Sequence, residues 1–80
     1  MDGLVERARN NPQSLSFKEI QRLVDLAGFR LKRVRGSHHV YTRKGIVEIT
    51  NIQPKGKMAK PYQVRQVVSL IDKYGLLKEK

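Results

Sequence analysis

The sequence predicts an α+β domain of order α-β-β-β-α, a three-stranded antiparallel sheet with its helices on one face. Three observations predict it. Apolar residues recur at helical spacing in two separated stretches, Phe17 to Ala27 and Val64 to Tyr74. Between them lie three short runs in which β-branched or aromatic residues are interleaved with cations and polar residues. The runs are joined by turns too short for the crossover that a parallel pair requires.

Residues 1–15 hold a helical turn, Leu4 to Arg9, followed by Asn10-Asn11-Pro12, and read as an extension hinged on a turn. The folded domain is expected over residues 16–80. Ser16-Phe17-Lys18-Glu19 fits a capping box, in which the serine hydroxyl accepts from the Glu19 N–H and the Glu19 carboxylate reaches back to the cap. Phe17, Ile20, Leu23, Val24 and Ala27 then share one stripe, and Gly28 is placed to end the helix in the left-handed conformation. From Phe29 to Arg35 the pattern becomes that of a strand with one apolar face. Gly36-Ser37 turns into a second strand, His38 to Arg43, and Lys44-Gly45 turns into a third, Ile46 to Ile52. Gln53 to Lys60 has the Pro, Gly and Lys content of an exposed loop. Pro61 suits the first position of the last helix, whose stripe is Val64, Val67, Val68, Ile71 and Tyr74 and whose stop is Gly75. Two amphipathic helices on one face leave the other face of the sheet open, the architecture of double-stranded-RNA-binding (dsRBD-like) domains.

Composition narrows the function. The chain has 80 residues, no Cys, no Trp and a formal net charge of +10. Residues 26–71 contain ten Lys/Arg against one acid, Glu48, while the flanks hold seven against six, so the excess of nine lies in the middle. Such a one-sided surface favours a polyanion, a phosphate backbone above all, over a neutral metabolite. Without Cys there is neither a disulfide framework nor a thiolate metal site, and two adjacent histidines in a strand point to opposite faces, so no metal and no cofactor are expected. No apolar run is long enough to span a membrane, and Asp2 and Glu6 stand where a secretory signal would be basic; a cytoplasmic location is expected. His38 and His39 are the only side chains that ordinarily titrate near neutrality.

The run Gly36-Ser37-His38-His39, preceded by a helix, a glycine and a basic first strand, resembles the HicA (YcfA-like) toxins of type II toxin–antitoxin modules, whose hallmark is Gly-Ser-x-His at the start of the second strand. Asn51-Ile52-Gln53-Pro54, then Gly56-Lys57, then Ala59-Lys60-Pro61-Tyr62-Gln63-Val64-Arg65-Gln66 is similar to a branch of that family with a longer N-terminal extension. The chain departs from the family pattern in two places. Many members have a histidine where this one has Gln53 or Lys55, and many have Gly-Thr where this one has Tyr62-Gln63. The resemblance implies a small basic endoribonuclease that cleaves mRNA without a metal and is silenced by a HicB-type antitoxin. Because the position before the family's histidine varies, the catalytic role carries over to His39 and not to His38.

Metal-independent RNA cleavage needs a base for the ribose 2′-OH, charge stabilisation of the phosphorane and an acid for the leaving oxygen. Histidine suits the base or the acid, because its ordinary pKa of about 6.5 keeps both protonation states available, and the base is the preferred role for His39. Arg35, Arg43, Lys55, Lys57 and Lys60 are the cationic candidates for RNA binding, with Ser37 and His38 of the motif beside them and Tyr41 available to stack a splayed base. If Val40 points into the core, His39 and Tyr41 share the open face and His38 lies beside Val40 on the covered side or at its rim. A non-catalytic, dsRBD-like RNA-binding module is the alternative that charge and element order support equally. An interaction domain for an acidic protein is the second.

Overall fold

The structure, a computed structural model, describes residues 3–76, so the last four residues of the expected 16–80 domain lie outside the described residues. Its elements are helix α1 (Leu4–Asn10), a 3₁₀ turn (Pro12–Ser14), helix α2 (Phe17–Leu26), strands β1 (Arg30–Arg35), β2 (His38–Arg43) and β3 (Ile46–Ile52), a miniature hairpin β4 (Pro54–Lys55) and β5 (Met58–Ala59), and helix α3 (Pro61–Tyr74). The sheet order is β1-β2-β3, antiparallel throughout. The expected α-β-β-β-α architecture is the one observed.

Local chemistry sets the boundaries of α2. Ser16 caps it, with its hydroxyl accepting from Glu19 N at 3.2 Å and the Glu19 carboxylate accepting from Ser16 N at 2.9 Å. Leu15 and Ile20, at the two positions of a hydrophobic staple, are both fully buried. The helix ends in a Schellman motif: Gly28 N donates to Asp25 O at 2.9 Å and Phe29 N to Val24 O at 3.0 Å, with Gly28 at φ +86. Helix α3 starts at Pro61 and stops at Gly75, φ +60, as its sequence demands.

The core lies between the helices and one face of the sheet. Its fully buried members include Leu15, Ile20, Leu23, Val24, Phe29, Ile52, Val64 and Val67. Truncating one of these to Ala typically costs about 2–5 kcal/mol, a large share of what a domain of this size possesses. The N-terminal extension belongs to the same core: Leu4, Ala8 and Pro12 are buried, and Arg9 makes a two-pronged ion pair with Asp72 of α3 at 2.6 and 2.9 Å.

Two features differ from the sequence expectation. Strand β1 is exposed along its whole length, with Leu31 and Val34 each half exposed, because a bulge between Leu31 and Arg33 shifts the register and the strand lies at the sheet edge. The segment expected as a loop contains β4 and β5, joined through Gly56-Lys57 with Gly at φ +63 in the first turn position. The hairpin is stitched to the start of α2 by Phe17 N donating to Lys57 O (2.9 Å) and Ala59 N to Leu15 O (3.1 Å).

Candidate active site

The turn Gly36-Ser37, with Gly36 at φ +60, reverses the chain into β2 and places His38 opposite Arg35. The next residue, His39, stands between Val34 of β1 and Ile52 of β3. Residues directly opposite in a sheet share a face, and Ile52 is fully buried, so His39 is on the helix-covered side. It sits half buried at the rim of that side, its ring edge-to-face with Phe17 at a centroid distance of 5.0 Å and an interplanar angle of 66°. His39 Nδ1 is 3.0 Å from Ser37 O. A carbonyl only accepts, so the ring donates through Nδ1 and the neutral tautomer keeps Nε2 as its proton acceptor.

The open face is the one that carries His38. Its partners there are Arg35, Val40, Asn51 and the exposed apolar Val47 and Ile49, and His38 Nδ1 is 3.3 Å from Asn51 Oδ1. The condition that Val40 enters the core is therefore not met. Tyr41 fills that place, at 7% exposure, because the larger side chain offers more apolar surface to the helices. This corrects the expectation for Tyr41: buried in the core, it presents no face on which an RNA base could stack.

Arg43 is corrected as well. It is half buried and its guanidinium donates to the Ala27 carbonyl, lying so close over Gly28 that a Cβ there would be 2.5 Å from Arg43 Nη1. It is a cationic cap on the C-terminus of α2. It also lies four positions along the strand from His39, about 13 Å at roughly 3.3 Å per residue. Arg35, Ser37 and His38 do gather at the His39 end of the sheet, with Ser37 acting there through its backbone carbonyl. Lys55 and Lys57 are exposed on the hairpin that follows β3, and Lys60 is half buried at the N-cap of α3.

One residue outside the expected set lies against the imidazole. Phe17 was assigned to the helix stripe, yet it also contacts the imidazole and lines a groove of about 450 Å³ with Ser16, Lys18, Gly56 and Lys57. Gln63 is buried and its Oε1 accepts from Gln53 N at 3.0 Å, so the two places where the chain departs from the family pattern are joined to each other. The groove wall at Gly56 and Lys57 carries no local signal beyond the composition of a loop, because β4 and β5 are two residues each, too short for alternation to show. Glu19, near the groove, is held ionised by Arg7 first and by Ser16 N second.

Fold and site together define a basic α+β domain with a half-buried imidazole, His39, near the start of its second strand. The family model of the HicA toxin of bacterial toxin–antitoxin systems matches residues 17–76, three quarters of the chain, and the chain belongs to the HicA toxin family. Membership makes it a toxin of a toxin–antitoxin system and implies an antitoxin partner. No curated protein and no solved structure matches the chain. Among the described residues no helix is long and apolar enough to cross a membrane.

Proposed function

We propose that this toxin is an endoribonuclease that cleaves mRNA in the cytoplasm without a metal, with His39 as general base, and that a HicB-type antitoxin silences it by covering that residue. The observation that carries the reading is the 3.0 Å contact of His39 Nδ1 with Ser37 O, which leaves Nε2 as the acceptor, in a chain of the HicA toxin family. In the reaction, Nε2 takes the proton of a ribose 2′-OH, the 2′-oxygen attacks the adjacent phosphorus in line, and the bond to the 5′-oxygen breaks as that oxygen takes a proton from solvent water, the imidazolium then returning its own proton to the hydroxide so formed. The products are a 2′,3′-cyclic phosphate and a 5′-hydroxyl. The Nδ1–H bond to Ser37 O holds the ring in place while Nε2 changes state. Arg35, Lys55 and Lys57, at the same end of the molecule, supply positive charge toward the phosphate, since a single acid–base group provides only about 10²–10⁴-fold.

The test is induction of wild type and His39→Ala in a host lacking the antitoxin, followed by growth and mRNA integrity. Growth arrest with mRNA loss from the wild type alone supports the reading. Arrest by both forms, or arrest with intact mRNA, contradicts it and favours a non-catalytic RNA-binding module.

A further inference from the structure

The groove beside His39 has features that the cleavage reaction alone does not require. Phe17 occupies the first position of α2, where one side of its ring packs on the core and the rest is left half exposed toward the turn of the β4–β5 hairpin. Ser16, Phe17 and Lys18 form one wall; Gly56 and Lys57 form the other. The space, about 450 Å³, falls within the usual range for a pocket that accepts a small organic group. Glycine at the turn keeps it open: nothing lies within 4 Å of where a Cβ on Gly56 would be, and φ +63 disfavours any side chain at that position. Lys18 and Lys57 stand exposed on the two walls, and among the described residues no acid lines the groove.

An aromatic floor between two ammonium groups matches one chemistry well: a flat, polarisable ring flanked by anions. A purely apolar ligand would leave both cations without use, and a bare phosphate would leave the ring without use. We infer that the groove is a nucleobase subsite, in which one base of the RNA substrate stacks on Phe17 while Lys18 and Lys57 hold the phosphates on either side of it. The inference rests on the RNA-cleaving reading above and deepens it. The edge-to-face contact between Phe17 and His39, 5.0 Å between centroids, then has a purpose. A base on Phe17 brings its own ribose beside the imidazole, so the groove chooses which 2′-OH meets Nε2. Phe17 would thus be a specificity-determining residue of the reaction. The buried Tyr41 is replaced in that function by an aromatic ring from a different element.

The chain lacks tryptophan, so Phe17→Trp introduces a single fluorescent reporter at the proposed stacking position. The variant is made in the His39→Ala background, where RNA is bound without being cut, and titrated with a hexaribonucleotide and with an abasic ribose-phosphate oligomer of the same length. Fluorescence anisotropy of labelled oligomers reports binding independently. The expected result is strong quenching of the tryptophan by the hexaribonucleotide and little by the abasic oligomer. Binding without quenching, or equal quenching by both, overturns the base subsite and leaves the cleavage reading standing. No binding of either oligomer overturns both. Phe17→Leu keeps apolar packing and removes the aromatic face; with its helix content and melting verified, it should weaken hexanucleotide affinity about five- to a hundred-fold, the range of one lost stacking contact. In the His39-containing enzyme the same change should raise KM by a similar factor, move kcat by less than tenfold and alter the preferred cleavage positions. Unchanged KM together with unchanged cleavage positions would show that Phe17 only packs.

Discussion

Strand alternation puts two neighbouring imidazoles on opposite faces, and in the proposed reaction only one of them is the base. His39 has its tautomer fixed by Ser37 O and a ring wall in Phe17, whereas His38 stands exposed beside Arg35 and Asn51. His39→Ala or His39→Gln should therefore lower the cleavage rate by about 10²–10⁴-fold, and His38→Ala should keep a substantial part of it. Rates on one RNA, with folding verified by circular dichroism, decide this, and equal loss from both would contradict the assignment. Arg43 makes a second residue-level case. As the cap of α2 over Gly28, its replacement by Ala should lower the melting temperature and leave the salt dependence of RNA binding unchanged. Gly28→Ala combines a left-handed φ with a clash on that guanidinium, so it should cost about 1 kcal/mol or more, and less in an Arg43→Ala background; a double-mutant cycle in urea measures the coupling. The residues of the Gly-Ser-His-His motif were legible in the sequence. The face on which His39 lies was not, because β3 carries apolar residues on both parities, Ile46 and Ile52 against Val47 and Ile49, and the bulge in β1 breaks the phase between Leu31 and Val34.

The elements were legible wherever capping chemistry announced them. The capping box at Ser16, the Schellman glycine at Gly28 and the Pro61 to Gly75 span of α3 each follow from side-chain chemistry within a few residues, and the strands β2 and β3 begin and end where their turns require. The hairpin and its seam to residues 15–17 left no such trace, since backbone bonds between segments some forty residues apart have no local signature. One tie between elements is titratable. Lys73 first, and the Tyr74 hydroxyl second, hold the Glu48 carboxyl down at about 2 from its ordinary 4.5, joining β3 to the end of α3 through contacts of 2.8 and 2.6 Å. Between those values the unfolded carboxyl takes up a proton that the folded one refuses. The stabilisation is thus fully present above about 4.5 and is lost as pH falls through about 2. Glu48→Gln should melt below wild type at neutral pH, and the gap between the two should close on acidification through that window. A gap independent of pH would mean that the carboxylate charge contributes nothing to the joint.

At the scale of the whole molecule, charge sets the partners. In our reading, the excess of nine cations in residues 26–71 faces RNA in the active toxin and an acidic antitoxin in the silenced one. If about four to six phosphates are neutralised, log affinity for single-stranded RNA should fall against log salt with a slope of roughly −3 to −4, from about −0.7 per contact. Arg35→Ala or Lys57→Ala should flatten that slope by somewhat under one unit each, for all sequences alike. An unchanged slope would move those side chains from the RNA to the protein partner. Association with the antitoxin should likewise slow as salt rises, with His39 covered in the complex; a complex that leaves His39 exposed would refute direct occlusion. The central claim is that one imidazole, His39, turns a basic dsRBD-like fold into a nuclease. Incubating the purified chain and its His39→Ala variant with RNA in EDTA tests it most directly: the wild type should fragment the RNA while the variant binds it within a few-fold and leaves it whole, and either cutting by the variant at the wild-type rate or an RNA that the wild type binds and never cuts would contradict it.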